Sequence, residues 1–248
     1  MLFVIGNGLE NKDTKEIEEM TNQINEAIGE TEDTNVEVQI EEEISLETNN
    51  EQSTYVSSYY KDYNNVYVEL LKINPDTIGW IKVNNTKINY PVVQSSDNDY
   101  YLNHAYDKTK NIAGWIYVDY RNNMDTINKN TIIYGHSGLK GNLMFTSLNK
   151  VLNKNWYSDI NNRNISFSIK GREYVWKIFS IYTIKTTSDY LYIDFESDEK
   201  YIEFINMIKN RSITNFNEEV TETDKILTLS TCYNGDKSRL VVHAKLIK

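Results

Sequence analysis

One cysteine, three histidines and two prolines are all that 248 residues supply of those types. A single cysteine excludes an intramolecular disulfide framework and leaves the redox compartment open, since it suits a cytosolic protein and equally an exported one from an organism that makes few disulfides. The histidines, at 104, 136 and 243, are too widely separated for a zinc-like spacing, so neither a metal nor another cofactor is expected. No apolar run approaches the ~20 residues that cross a bilayer; Met1 to Ile5 is far shorter, with no basic stretch before it, so as it stands it is neither an anchor nor a signal peptide. Basic runs are missing too. The net charge of −10 is concentrated at one end: residues 1–52 hold 15 acidic and two basic residues, leaving 21 acidic and 24 basic in 53–248. Nucleic acid is therefore a poor partner for this chain.

What the chain does have is aromatic bulk. Nineteen tyrosines and seven phenylalanines favour packed β structure, and 40% hydrophobic residues suffice for a full core. Ile17, Met20, Ile24 and Ile28 fall at helical spacing within "KEIEEMTNQINEAI". The acidic stretch after it reads as a solvated spacer, so residues 1–52 are taken as an N-terminal extension and 53–248 as the folded domain. From Tyr55 to Leu71 the spacing predicts a second helix, ended by the turn Asn74-Pro75-Asp76. Strands follow: "IGWIKV" and "TKINYPVVQ" around Asn84-Asn85, then "AGWIYVDYRN", "NTIIYGHS", "ISFSIK", "EYVWKIFSIYTIK", "KILTLST" and "RLVVHAKLI". Helices are expected at "DNDYYLNHAY", "GNLMFTSLNKVLNK" and "SDEKYIEFINMIKNR", the last with Tyr201, Phe204, Ile205 and Ile208 inward. The fold expected is mainly β, a closed eight-stranded barrel with N-terminal helices and one helix inserted before the last two strands.

The chemistry gathers around "TLSTCYNGDKSRLVVH". Cys232 ends one strand and Arg239 opens the next, so the intervening loop returns the arginine toward the thiol. A guanidinium about 4 Å from a thiolate is worth ~4 kcal/mol at an effective dielectric near 20, which favours the thiolate, and it can also donate to an oxyanion. The plain alternatives are an inert buried cysteine and an arginine paired with Asp236. His136 follows a strand between two glycines; His243 shares a strand face with Arg239; His104 lies in a short helix. On pattern, His136 and His243 both remain candidates for the partner of Cys232. Ser137 lacks a G-x-S-x-G elbow and adjoins the histidine instead of facing it, which disfavours a serine hydrolase.

"TLSTC" at a strand end, an arginine at the start of the next strand and "YGHS" about 95 residues upstream together resemble the sortases, cysteine transpeptidases of the Gram-positive cell surface. "INPDTIGWIKVNNTKINYPVVQSSDNDYYLNHAY", "AGWIYVDYRN" and the inserted "SDEKYIEFINMI" are similar to the class B branch, over roughly Tyr55 to Lys248. That resemblance implies a sortase barrel in which Cys232 attacks the carbonyl after threonine in a C-terminal NPxTx-like sorting motif, giving a thioacyl enzyme that an amine resolves. It assigns proton transfer to His136 and the oxyanion to Arg239. It also places substrate contacts at Asn98 and Leu102, four apart on the short helix, at Tyr134 and Ser230 in the groove, and at Tyr190 and Leu191 in a wall. The implied partners are surface proteins bearing a sorting signal, a peptidoglycan cross-bridge or lipid-linked precursor amine, and the plasma membrane, with the domain on its extracellular face and Met1 to Leu9 the remnant of an anchor. The seven-residue spacing from Cys232 to Arg239 is shorter than in some class B members, and no acidic third member of a triad is evident. A cysteine hydrolase, a pilin-polymerising sortase and a non-catalytic binding barrel are the competing functions.

Overall fold

Eight strands close on themselves through an unbroken ladder in the computed structural model, which describes residues 10–28 and 63–248. In chain order they are β1 (Thr77–Val83), β2 (Asn89–Val93), β3 (Tyr117–Val118), β4 (Asn130–Tyr134), β5 (Asn164–Ile169), β6 (Val175–Lys185), β7 (Ile226–Tyr233) and β8 (Ser238–Leu246). Around the barrel the order is β1-β2-β3-β4-β7-β8-β6-β5, with β5 returning to β1. All neighbours are antiparallel except β2 with β3 and β4 with β7. The parallel β4–β7 pair matters most here. It joins strands almost a hundred residues apart, and everything between them, β5, β6 and the inserted helix, serves as the crossover that a parallel pair requires.

Local chemistry explains the turns. The β5–β6 connection brackets Lys170 and Gly171, both at positive φ (49° and 79°), between the bridged residues Ile169 and Arg172. That is the left-handed pair which matches strand twist in a two-residue hairpin. The β1–β2 hairpin turns on Asn84 and Asn85 as expected, with Asn85 at φ 52°. Its second strand begins later than the text suggests, at Asn89, because Thr86 folds back onto the Val83 carbonyl (Thr86 N–H 3.2 Å, hydroxyl 2.8 Å).

Among the described residues four α-helices accompany the barrel: α1 (Glu10–Ala27), α2 (Tyr63–Ile73), α3 (Lys154–Ser158) and α4 (Asp198–Asn210). In α1, Ile17 and Ile24 are buried against the main core, and its Asp13 accepts through the backbone carbonyl from Asn111 Nδ2 and through the carboxylate from the Ile112 N–H. The helix is thus fastened to the barrel. The boundary drawn at residue 52 and the acidic stretch before it lie outside the described residues, as does the start of the helix expected from Tyr55. Helix α4 is capped by Ser197, carries Asp198 and Glu199 in its first turn, and buries the four residues its periodicity marked. With Phe179, Tyr182 and Val241 they form a second apolar cluster outside the barrel.

Two expected helices are not α-helical. "DNDYYLNHAY" contains only a 3-10 turn, Tyr100–Leu102, and "GNLMFTSLNKVLNK" forms two, Lys140–Asn142 and Thr146–Leu152. Gly141, Asn142 and Met144 all stand at positive φ, which an α-helix cannot absorb, and so the apolar spacing there reports burial without the period. Asn98 consequently precedes the short helix instead of sharing it with Leu102. The carboxylate of Asp97 receives the N–H groups of Asp99 and Tyr100 (both 2.8 Å), and those bonds start the turn at Tyr100, beyond Asn98.

Candidate active site

Register alone assembles the site. On one side of β7, Cys232 pairs directly with Arg239 across the antiparallel ladder to β8. On the other side, β4 runs parallel to β7 with Tyr134 opposite Ser230, so the next step along both strands brings Gly135 to Thr231 and then His136 to Cys232. Bonds beyond the ladder keep that alignment: Thr231 Oγ1 donates to the Gly135 carbonyl (2.7 Å) and the Ser137 hydroxyl donates to the Cys232 carbonyl. Adjacent strands lie about 4.8 Å apart, so His136, Cys232 and Arg239 form one row across three strand ends.

The loop between Cys232 and Arg239 is tighter than their spacing implies. Tyr233 and Ser238 are themselves paired, and only Asn234 to Lys237 turn, with Asn234 and Gly235 left-handed at φ 51° and 68°. A seven-residue spacing therefore delivers the arginine squarely opposite the thiol. Arg239 also donates from Nη1 to the Ser238 carbonyl (3.0 Å). Asp236, the alternative partner for Arg239, has a side chain outside the described ones.

His136 is 5% exposed and Cys232 6%, so both face a sheltered surface. The imidazole Nε2 lies 2.8 Å from the Leu102 carbonyl oxygen. A carbonyl only accepts, so Nε2 carries a hydrogen and Nδ1 is the nitrogen whose proton changes. The missing acidic member of a triad thus has a backbone counterpart. Gly114 makes room for it: at φ +59°, a Cβ there would stand 2.9 Å from His136 Cδ2 and 2.5 Å from the Tyr101 carbonyl oxygen.

The other histidines are occupied elsewhere. His243 is fully buried, with Nε2 against the Tyr182 hydroxyl (2.9 Å) and Nδ1 against the Thr228 hydroxyl (2.8 Å). Burial, with a smaller contribution from the positive Arg211, pushes its pKa down to about 3, so it is neutral at pH 7. His104 stacks on Tyr100 with centroids 4.0 Å apart and donates to the Tyr100 carbonyl. Among the described residues no three His, Cys, Asp or Glu side chains gather as a metal site would need.

Most residues expected in the groove converge below the row. Ser230 and Tyr134 sit one β-repeat down from Cys232 and His136, and the Tyr190 hydroxyl is 3.0 Å from Ser230 Oγ. Burial raises the Tyr190 pKa, and the positive charge of Arg239 works against that rise. Tyr190, Ser230 and Tyr134 are themselves buried (2%, 2% and 8% exposed), which makes them a floor, whereas Asn98, Leu102 and Leu191 are partly exposed. Leu102 serves His136 through its carbonyl as well. Reading the sequence missed Asp119, Arg121 and Asn130, which tie these residues together. "VDYRN" held the first two in plain view, but nothing local marks an aspartate as buried.

A closed barrel that brings a cysteine, a histidine and an arginine to three neighbouring strand ends holds the residues that chemistry through a cysteine nucleophile requires. A family model described as Sortase domain matches residues 81–247. The sortase B of Staphylococcus aureus is 39% identical over 185 residues, which is 73% of this chain and 75% of that protein. Among solved structures, sortase B from B. anthracis in complex with AAEK1 aligns with a TM-score of 0.76 at 32% identity, covering 96% of this chain and 99% of that one. A Staphylococcus aureus sortase B–substrate complex aligns at 0.75 and 30% identity, covering 98% and 99%. The chain belongs to the sortase family, in its class B branch, and is a sortase B-type cysteine transpeptidase with the eight-stranded barrel expected of one.

Proposed function

We propose that the enzyme cleaves a C-terminal NPxTx-like sorting motif after threonine and passes the protein to an amine of the cell wall. The observation that carries this reading is the His136–Cys232–Arg239 row. Cys232 Sγ gives its proton to His136 and attacks the threonine carbonyl, and the resulting oxyanion is met by Arg239. The C–N bond breaks as His136 returns the proton to the leaving amine, leaving a thioester on Cys232. An incoming amine, from a peptidoglycan cross-bridge or its lipid-linked precursor, loses its proton to His136 and attacks the thioester. The new amide forms and Cys232 leaves as the thiol. The motif lies over Tyr134, Ser230 and Tyr190, between Asn98 with Leu102 on one side and Leu191 on the other. A Staphylococcus aureus sortase B solved as a substrate complex supports substrate binding by this fold.

We place the domain on the extracellular face of the plasma membrane. The described residues contain no helix long and apolar enough to cross a membrane. Fractionation of cells expressing the full reading frame tests the placement, and recovery in the cytosol would defeat it.

The function is tested with a fluorogenic NPxTx-type peptide, with and without an amine acceptor. Amine-dependent ligation product is expected, while hydrolysis that no wall-derived amine diverts would favour the plain hydrolase. In the same assay Arg239→Ala is expected to lower kcat on the order of 10²–10³-fold, the usual cost of removing an oxyanion donor. Arg239→Lys should recover little, because one ammonium cannot reproduce the fork of the guanidinium. Near-full activity in the lysine variant would reduce Arg239 to a charge without geometry.

A further inference from the structure

The two walls of the groove meet at a carboxylate that the proposed reaction does not use. Asp119 directly follows β3, and its side chain has 0% exposure. Its Oδ1 accepts from the Arg121 backbone N–H (3.0 Å) and Arg121 Nε (2.9 Å). Its Oδ2 accepts from Arg121 Nη2 (2.8 Å), the Tyr134 hydroxyl (2.9 Å) and Asn98 Nδ2 (3.1 Å). The same Nη2 donates onward to the Leu191 carbonyl (3.1 Å), and Asn98 Oδ1 accepts the Tyr120 N–H (3.0 Å). Three groove residues from three separate segments, before the 3-10 turn, on β4 and before α4, are thus joined through one side chain.

Burial alone would raise the Asp119 pKa, but the Arg121 guanidinium and N–H with the Tyr134 hydroxyl outweigh it and hold the carboxyl below its usual range. A buried ion pair is a weak source of stability compared with apolar packing, and its best attested use is to fix register. Here the register in question is the spacing between Asn98 and Leu191, too far apart in sequence to be set by any local turn.

We propose that Asp119 is a positioning residue for substrate recognition, holding both walls of the sorting-motif groove at a fixed spacing through Arg121, Tyr134 and Asn98. The proposal rests on the groove reading above. Asp119→Asn is nearly isosteric, yet its amide turns one accepting oxygen into a donor, so whichever way it faces it confronts Arg121 or the Tyr134–Asn98 pair. The variant should raise KM for the sorting peptide at least about tenfold, with kcat lowered less than about threefold. Alkylation of Cys232 by iodoacetamide should keep its wild-type rate within about twofold, since the bonds to Asp119 come from Arg121, Tyr134 and Asn98. Amide hydrogen exchange should quicken at both 98–102 and 190–193.

Unchanged KM with unchanged exchange at either wall would overturn the proposal, and so would a fall in kcat and alkylation rate as large as the change in KM, which marks general damage to the fold. If Asp119→Asn does not fold, Tyr134→Phe removes one bond and keeps the packing; it should raise KM about threefold, and a wild-type value would overturn the proposal as well. Should the wild-type enzyme turn over no sorting peptide, the motif reading falls by itself, while the exchange measurement still decides whether Asp119 couples the two walls.

Discussion

Cys232→Ala is expected to lower peptide turnover to on the order of 10⁻⁴ of wild type or less, with the fold intact. The size follows from the chemistry: without the thiolate there is no covalent intermediate, and what survives is the positioning and oxyanion stabilisation that remain when the nucleophile of a covalent mechanism is removed. Stability should change by about 1 kcal/mol at most, because the lost atom is one small apolar group at a strand end and not at the centre of the core. Intact-mass spectrometry after mixing with a sorting peptide separates the two forms. Wild-type protein should gain the mass of the acyl fragment N-terminal to the scissile bond, and the alanine variant should gain nothing. An alanine variant that still turns peptide over would remove Cys232 from the mechanism and leave the aligned row without its reason.

How much of this was legible beforehand depends on how far apart the partners lie in sequence. The Cys232–Arg239 pair was legible because one short turn fixes it, although its four-residue tightness shows only in the left-handed Asn234-Gly235. The barrel was legible too, since apolar β-branched and aromatic runs bounded by turn residues mark the strands, although only Tyr117–Val118 of "AGWIYVDYRN" pairs as β3. The choice between His136 and His243 was not, by pattern alone. It depends on the β4–β7 register, a parallel pairing with no turn to specify it, and the resemblance to sortases settled it sooner than the residues could. Tyr134, Ser230 and Tyr190 were named for the groove, but their burial beneath its surface was not visible. Asp119 was invisible for a similar reason. An aspartate before a tyrosine and an arginine reads as a solvated loop, and only the closure of the barrel sinks it below three other segments. The segments misread as α-helix, around Leu102 and Met144, fail for a local reason instead: apolar residues at three- and four-residue spacing suit a buried 3-10 turn as well.

His136→Ala should cost on the order of 10²–10⁴ in kcat, the range for losing a positioned acid and base, with little change in KM because the proposed role of the imidazole is proton transfer and not substrate binding. The Leu102 carbonyl defines what a substitute must do. It fixes the ring through Nε2, so the working nitrogen is Nδ1, and a glutamine, which can still donate to that carbonyl but cannot relay a proton, should be as poor as alanine. The comparison that gives the experiment its force is His243→Gln. His243 is neutral and sealed between Tyr182 and Thr228, so replacing it should leave kcat within a few-fold of wild type. Its cost should appear as stability, about 1–3 kcal/mol, as the buried hydroxyl partners lose their acceptor or donor. The pH dependence follows the same division. Because the folded state holds the His243 pKa down at about 3, its contribution to stability is present above the ordinary histidine value near 6.5 and is lost as pH falls from there toward 3, as the unfolded chain takes up the proton first. Acid unfolding of His243→Gln should therefore be less steep over that interval. A kcat loss shared equally by the two variants would return the base to His243 and break the row that β4 and β7 build.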